Sequence, residues 1–177
     1  RPTAAVSVGR EQAIAREVRL AWCRERGIPI VRRPTGGGAL WHDPDQWALC
    51  LAAPRARFGA DPAERLAAGG AVVVSALARL GVAADFVPPN DVQIAGGAKI
   101  ASVFLAEAGE EALLFATLLV GFDVAAALSA LLVPTEKLTR TGLEHARERV
   151  APLVDLRDPV PDAESIVAAL TEAVAAR

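Results

Sequence analysis

Three consecutive glycines, at positions 36–38, separate two apolar segments of this chain and limit what it can fold into. They stand in the stretch VRRPTGGGALWHDPDQW, residues 31–47. Glycine loses more conformational freedom on folding than any other residue, so a run of glycines weakens a helix or strand that contains it. A turn requires one or two glycines rather than three. We therefore interpret the run as a long connection between two neighbouring strands, in which another group approaches the backbone closely.

The spacing of apolar residues and the positions of glycine and proline predict helices and strands around this connection. Apolar residues recur at helical spacing before Gly27, and later segments are bounded by Asp-Pro, Pro-Pro and Gly-Gly pairs. The predicted helices cover 10–26, 61–81, about 123–132, about 142–149 and 163–177, and the predicted strands cover 28–33, 46–54, three short segments within 84–107, and 112–123. This order favours a single α+β domain over residues 1–177, with a mixed or antiparallel β-sheet flanked by helices.

The composition excludes several classes of protein. A net charge of −2 gives no support for non-specific nucleic-acid binding, and no apolar run has the length of a membrane span. Cys23 and Cys50 form no CxxC pair, and we expect Cys50 in the core of an apolar strand. We predict a cytoplasmic protein without nucleic-acid or membrane partners. Because the chain opens with Arg1-Pro2 and contains no methionine, we also expect an upstream segment to be missing.

The two lysines stand out because the chain contains 17 arginines. Arginine is a fixed planar fork, whereas lysine is a compact, movable point charge. Lys99 opens a predicted strand shortly after Asn90-Asp91, where it is suited to neutralise charge that develops on a phosphate. Asp91 could hold either Mg²⁺ or the lysine head. The structural alternative is turn chemistry at Asn90-Asp91 and a solvated edge-strand lysine.

The glycine segment is a second candidate site, since backbone N–H groups of such a connection can cradle an anion. The phosphate-binding patterns GxxxxGK[ST] and GxGxxG are both absent. Arg33 precedes the glycines and His42-Asp43 follows them. A flexible hairpin loop, with Arg33 paired to a surface carboxylate, remains open as the alternative. His145 lies in a charged segment and is expected to be solvated.

Together these residues resemble the lipoate–protein ligase A family, within the biotin/lipoate ligase superfamily. RRPTGGGALWHD is similar to the first signature of that family, and NDVQIAGGAKIAS is similar to its second, which ends in the active-site lysine. ATLLVGFDV and PTEKLTRTGLEHARERVAPL are similar to its later segments. The resemblance runs from about Val8 to the last helix. It implies the biotin/lipoate ligase catalytic fold, which is like that of class II aminoacyl-tRNA synthetases.

The resemblance implies an enzyme that uses ATP and Mg²⁺ to activate lipoate or octanoate as acyl-AMP. A lysine of a lipoyl carrier domain, of the 2-oxoacid dehydrogenase E2 or glycine cleavage H protein type, then attacks the mixed anhydride. Lys99 would be the catalytic residue, and Asp91 a possible Mg²⁺ ligand. The acyl-adenylate would be bound by Arg33, Thr35, Gly36, Gly37, Gly38, Ala39, Trp41, His42, Asp91, Ser102 and Thr117.

This sequence also departs from the pattern of the family. Ser102 stands where a glycine is usual and Phe104 follows, so we expect a narrower acyl tunnel; Phe115-Ala116 replaces a His-Gly pair. The small C-terminal accessory domain is not evident, which leaves room for a separate accessory subunit. The alternatives are an octanoyl-carrier-protein:protein octanoyltransferase, which requires a cysteine thiolate, a biotin ligase, and a non-catalytic acyl- or nucleotide-binding member. A binding module unrelated to the superfamily would leave both signatures unexplained.

Overall fold

The computed structural model describes residues 3–133 and 139–177, which form two β-sheets and seven α-helices among them. The predicted α+β class is confirmed, and the mixed and antiparallel pairings belong to separate sheets. The smaller sheet has the order β2-β1-β3, with β1 parallel to β2 and antiparallel to β3. Its strands are β1 Ala5–Val8, β2 Ile30–Arg32 and β3 Leu40–His42.

The larger sheet is antiparallel throughout, in the order β4-β8-β7-β6-β5. Its strands are β4 Trp47–Pro54, β5 Ala84–Val87, β6 Asp91–Ile94, β7 Lys99–Ala108 and β8 Glu111–Leu118. The helices are α1 Ile14–Glu17, α2 Leu20–Glu25, α3 Pro62–Arg79, α4 Val124–Ala130, α5 Arg140–Glu148, α6 Leu153–Leu156 and α7 Ala163–Ala175.

The main core lies between the larger sheet and helices α3 and α7. Helix α3 begins where Asp61 accepts a hydrogen bond from the Glu64 N–H at 2.9 Å, with proline at the first helical position. Gly70, inside α3, permits close packing, because a Cβ there would lie 2.1 Å from the ring of Phe86. Leu77 of α3 and Ile166 of α7 are fully buried against the sheet. The two adjacent glycines of this helix thus allow it to pack closely against the sheet.

A second core joins the smaller sheet to α2 and α4 through Val6, Val8, Cys23, Trp41 and Ala130. No helix within residues 3–133 and 139–177 is long and apolar enough to cross a membrane.

Two sequence predictions about the N-terminal region are wrong, and two strands there were not predicted. The helix over 10–26 is broken at Val18, which is extended and pairs with Leu131 instead of continuing the helix. The strands β1 and β3 were not predicted, since each is only three or four residues long. The strands on either side of the glycine run are not neighbours: β2 and β4 belong to different sheets, with β3 between them in the chain. Lys137, the second of the two lysines of the chain, lies outside the described residues.

Candidate active site

A cavity of about 490 Å³ is lined by residues of both sheets. This volume is within the usual range for a pocket that binds a small molecule. Its apolar lining comes mainly from the region of β3 and α4 and from the chain just after β8, and its polar lining mainly from β6, β7 and β8. The apolar members are Ala39, Leu40, Trp41, Ala101, Leu119, Phe122, Ala127, Leu131 and Val150; the polar members are Gln46, Asp91, Gln93, Lys99, Ser102, Thr117 and Arg149, together with Gly97.

Asp91, Ser102 and Thr117 form a polar row across three adjacent strands. Asp91 is directly opposite Ser102, which is directly opposite Thr117, so the three side chains share one face of the sheet. Asp91 Oδ1 accepts a hydrogen bond from Ser102 Oγ at 3.1 Å and pairs with Lys99 Nζ at 2.9 Å. Together with Lys99, the row therefore presents a carboxylate, two hydroxyls and an ammonium group in one place.

A β-bulge brings Lys99 to this face. In a regular strand, residues three apart point to opposite faces, so Lys99 would face away from Ser102. The register between β6 and β7 shifts after Val92, so that Lys99 is opposite Gln93 while Ser102 is opposite Asp91. Asp91 and Gln93 are two residues apart and share a face, and Lys99 and Ser102 therefore share it too. Bulges commonly re-aim side chains in this way next to functional sites.

The backbone of Lys99 is held by the chain that follows α5. The Lys99 N–H donates to the carbonyl of Arg149 at 2.9 Å, and the Ala151 N–H donates to the carbonyl of Lys99 at 2.8 Å. Val150 forms a parallel bridge with Lys99 between these two bonds. Since both backbone polar groups of Lys99 are bonded, the base of this side chain is fixed beside the cavity.

The site offers little to a metal ion on its own. Within the described residues, Asp91 is the only carboxylate that lines the cavity, and no group of three metal-ligating side chains occurs. Asp91 Oδ1 is already engaged by Lys99 and Ser102. These residues do not fit an Mg²⁺ site made of protein ligands alone; Mg²⁺ is more often held by one or two carboxylates together with substrate phosphates. Of the two partners considered for Asp91, the structure contains the lysine.

Arg33 organises the glycine loop, which we define as residues 34–39. Its side chain is buried, and its Nη2 donates to the carbonyls of Gly36 and Gly38 at 2.8 and 2.6 Å. Nη1 bonds Ser7, and Nε bonds the Thr35 hydroxyl at 3.1 Å. Burial lowers the pKa of this guanidinium, which stays charged because its ordinary value lies far above neutrality. Its donors are directed into the loop, and no ion pair joins Arg33 to a carboxylate of the described residues.

The three glycines of the loop differ in what they require. Gly37 has a φ of +88°, and a Cβ there would lie 2.8 Å from the ring of Phe104. A Cβ at Gly36 or Gly38 would meet nothing within 4 Å, and neither residue has a positive φ. The protein therefore requires a glycine at position 37, whereas positions 36 and 38 leave space in front of the backbone.

His42 is held neutral by its surroundings. Burial, and secondarily the charge of Arg33, lower the pKa of its imidazole. Ser7 Oγ accepts from Arg33 at 3.1 Å and lies 2.7 Å from His42 Nε2. The guanidinium can only donate, so Ser7 Oγ is the acceptor of that bond, and the tautomer of His42 sets which group donates in the bond between Ser7 and His42. This chain of bonds ties β3 to β1 and to Arg33.

Half of the site residues that were predicted from the sequence line the cavity. Six of them line it, and Arg33, Thr35 and the three glycines lie beneath or along the loop that leads into it at Ala39. His42 instead faces a second cavity, of about 610 Å³. The six are Ala39, Trp41, Asp91, Lys99, Ser102 and Thr117.

Of the two residues expected to narrow an acyl tunnel, Ser102 lines the 490 Å³ cavity and Phe104 does not. The ring of Phe104 lies under Arg33, with the guanidinium carbon 4.7 Å from the ring centroid. Phe115 packs against Phe104 with a centroid separation of 6.0 Å. Neither ring lines the 490 Å³ cavity. Both phenylalanines support the glycine loop and His42 from the side of the larger sheet.

Sequence reasoning missed three polar residues of the lining: Gln46, Gln93 and Arg149. The period-2 rule would have found Gln93, two residues after Asp91 on the same strand. Gln46 and Arg149 reach the cavity through tertiary packing, and nothing in the local pattern marks them.

Neither cysteine is part of the site. Cys23 is fully buried, which raises the pKa of its thiol. Cys50 is exposed on β4, so its predicted place in the core is wrong. Both lie outside the lining of the 490 Å³ cavity. His145 is exposed on α5, as expected.

Comparisons with known proteins agree with this geometry. The family profile of the lipoyl protein ligase A/B catalytic domain matches residues 1–175. A lipoate–protein ligase 1 of Staphylococcus aureus is 28% identical over 88% of this chain, and a lipoate-protein ligase A of Psychrobacter cryohalolentis is 27% identical over 95%. The chain covers 46% and 47% of the lengths of these two proteins, so it spans about half of the curated relatives it matches.

Three solved structures share the fold along nearly the whole chain. One, of a bi-partite lipoate protein ligase and its E2 lipoyl domain from Thermoplasma acidophilum, has a TM-score of 0.87 at 30% identity and covers 98% of this chain and 67% of its own. A lipoate-protein ligase A bound with ATP has a TM-score of 0.79 at 26% identity, with 97% and 67% covered. A T. acidophilum protein with bound lipoic acid has a TM-score of 0.78 at 26% identity, with 98% and 68% covered.

Proposed function

Because the chain belongs to the lipoyl protein ligase A/B catalytic domain family, we propose that it activates lipoate or octanoate with ATP and transfers the acyl group to a lysine of a lipoyl carrier domain. The observation that carries this proposal is the Lys99–Asp91 pair, with an N–O distance of 2.9 Å, on the wall of a cavity with an apolar part. The similar proteins bound with ATP and with lipoic acid support the two ligand classes.

In the first step, an oxygen of the acid attacks the α-phosphorus of ATP. A mixed anhydride, acyl-AMP, forms and pyrophosphate leaves. The apolar wall, with Trp41, Phe122 and Leu131, takes the hydrocarbon part of the acid. Lys99, oriented by Asp91, stabilises the negative charge that grows on the phosphate oxygens. Thr117 offers a hydroxyl to the same group, whereas the Ser102 hydroxyl donates to Asp91 and helps to orient it.

In the second step, the neutral amine of the carrier lysine attacks the acyl carbon and loses one proton to solvent as the amide forms, and AMP leaves with the electron pair of the broken C–O bond. The cation at Lys99 stabilises the phosphate as it departs. The attacking nucleophile comes from the partner protein, so the reaction needs none from this chain. This agrees with the positions of Cys23 and Cys50 outside the cavity, which argue against a thioester-forming octanoyltransferase.

The glycine loop supports binding of an extended ligand. A Cβ at Gly36 or Gly38 would meet no atom of the described residues within 4 Å, so a steric clash with a Cβ does not explain glycine there. A ligand that lies along the loop backbone would explain it. We therefore assign Arg33 and Thr35 to holding the loop, and Ala39 and Trp41 to the wall that the ligand touches.

The partner in this proposal is a lipoyl carrier domain. The similar bi-partite ligase from T. acidophilum, described together with its E2 lipoyl domain, supports this partner. We propose a separate accessory subunit as a second partner. Residues 1–177 would then act as a single catalytic domain. We place the protein in the cytoplasm, where an exposed free thiol such as Cys50 stays reduced. Mg²⁺ would enter with ATP.

The test offers an isolated lipoyl domain to the purified chain with one of three acyl donors: lipoate plus ATP and Mg²⁺, lipoyl-AMP, or octanoyl-carrier protein. Mass spectrometry of the lipoyl domain measures transfer. Transfer from the first two donors is the expected result. Transfer from lipoyl-AMP alone indicates that activation needs the accessory subunit. Transfer from octanoyl-carrier protein alone, or from no donor, contradicts the proposal.

A further inference from the structure

We propose that Arg149 is a phosphate-binding residue of this cavity and supplies its net positive charge. The inference rests on the proposed function, and it concerns how the cavity holds the polyphosphate of ATP. Two cations and one carboxylate line the cavity within the described residues. Because Asp91 pairs with Lys99, the remaining positive charge is that of Arg149.

The guanidinium of Arg149, an exposed residue, has no partner among the described residues. No hydrogen bond or ion pair joins its side chain to another described residue, whereas Arg140 on the same helix pairs with Glu144 at 3.1 Å. An arginine presents a planar fork of donors that matches two phosphate oxygens at once. A polyphosphate carries several negative charges, which Lys99 alone, already paired, would leave uncompensated.

The position of Arg149 is fixed by the end of α5. Arg149 is the C-cap residue, and the last carbonyls of a helix need partners outside it. The Arg149 carbonyl accepts the N–H of Lys99, the first residue of β7. Two residues on, Ala151 donates back to Lys99, and Leu153 donates to Leu119 at the end of the cavity wall. The two cations are thus anchored to one another through their backbones.

A neighbouring arginine offers a matched control. Arg147 is exposed on the same helix, two residues away, and lines a different cavity, of about 180 Å³, with Asp123 and Asp155. Replacing Arg147 or Arg149 by alanine removes the same positive charge from the C-terminal end of α5. Only the Arg149 variant alters the wall of the larger cavity.

The experiment measures the Kd of the full chain for ATP, adenosine and lipoate by isothermal titration calorimetry. Arg149→Ala is expected to weaken ATP binding about 10- to 100-fold, the scale of a charged hydrogen bond. Its affinities for adenosine and lipoate, and its thermal midpoint, are expected to stay unchanged. Arg149→Lys should recover part of the loss, and Arg147→Ala should bind ATP as the unmodified chain does.

Several results would overturn the inference. They are an unchanged ATP affinity in Arg149→Ala, an equal loss for adenosine, a loss confined to lipoate, or an equal loss in Arg147→Ala. If the unmodified chain binds ATP and transfers the acyl group while Arg149→Ala behaves identically, only this inference fails. If the unmodified chain binds no ATP and transfers from no donor, the proposed function fails with it.

Discussion

Replacing Arg33 by methionine should destabilise the protein far more than the same change at Arg32. Both side chains donate to three backbone carbonyls: Arg33 to those of Ser7, Gly36 and Gly38, and Arg32 to those of residues 9, 10 and 12. Arg33 is 7% exposed, whereas Arg32 is exposed. The pair thus compares three bonds to carbonyls in two environments, and Arg33 adds bonds to the hydroxyls of Ser7 and Thr35.

The expected size follows from burial. A buried carbonyl left without a donor costs about 1–3 kcal/mol, so the three acceptors of Arg33 amount to about 4 kcal/mol, because they are only partly enclosed. Relief of the desolvation of the guanidinium offsets part of this, and about 3 kcal/mol remains. The carbonyls released by Arg32→Met can bond water instead, which limits that loss to about 1 kcal/mol.

Urea and thermal unfolding measure both variants against the unmodified chain. For a protein of this size, about 3 kcal/mol lowers the melting temperature by about 6–12 °C. The Arg32→Met variant should lose about 4 °C or less. Equal losses in the two variants would refute the reasoning, because burial would then not determine the cost. A loss below about 1 kcal/mol for Arg33→Met would do the same.

Three further predictions concern single sites. As the pH falls below about 6.5, the free energy of unfolding should decrease, because the unfolded chain binds a proton that His42, with its lowered pKa, resists; His42→Gln should show a shallower decrease in the same titration. Gly37→Ala should lower the melting temperature, since its φ is +88°, whereas Gly36→Ala should leave it unchanged and reduce acyl transfer. The double variant Cys23→Ala with Cys50→Ala, which lacks both thiols, should lipoylate a carrier domain at a rate within about twofold of the unmodified chain, when equal amounts of folded protein are compared. A thioester intermediate would instead require a thiol, and activity would be lost.

Much of the fold could be predicted from the sequence wherever an element carries its own boundary signals. Asp61-Pro62 and Gly81 bound α3, and the predicted span differs from the observed one by only a residue or two at each end. The break at Val18 could not be predicted, because the groups that replace its helical bonds lie near Leu131, far along the chain. The short strands of the smaller sheet are likewise defined by pairing rather than by local composition.

Residues of the candidate site could likewise be predicted only where they stand close together in the sequence. The first signature and the Asp91–Lys99 segment are local, and their residues could be marked from the sequence. The face on which Lys99 lies depends on a bulge that the alternation of residues does not reveal. The bond of Arg33 to Ser7, and the approach of the Arg149 backbone to Lys99, arise from contacts across 26 and 50 positions of sequence. Such contacts have no local pattern.

The measurement that tests the central claim most directly is single-turnover transfer of the acyl group from lipoyl-AMP to a lipoyl domain. It compares the unmodified chain with Lys99→Ala, and it does not depend on activation by ATP. Since Lys99 is partly exposed, its loss should change stability little. Transfer is expected to slow by about 100- to 1,000-fold, the range found when one charge-stabilising donor is removed. A Lys99→Ala variant that is folded and transfers at the unmodified rate would contradict the account.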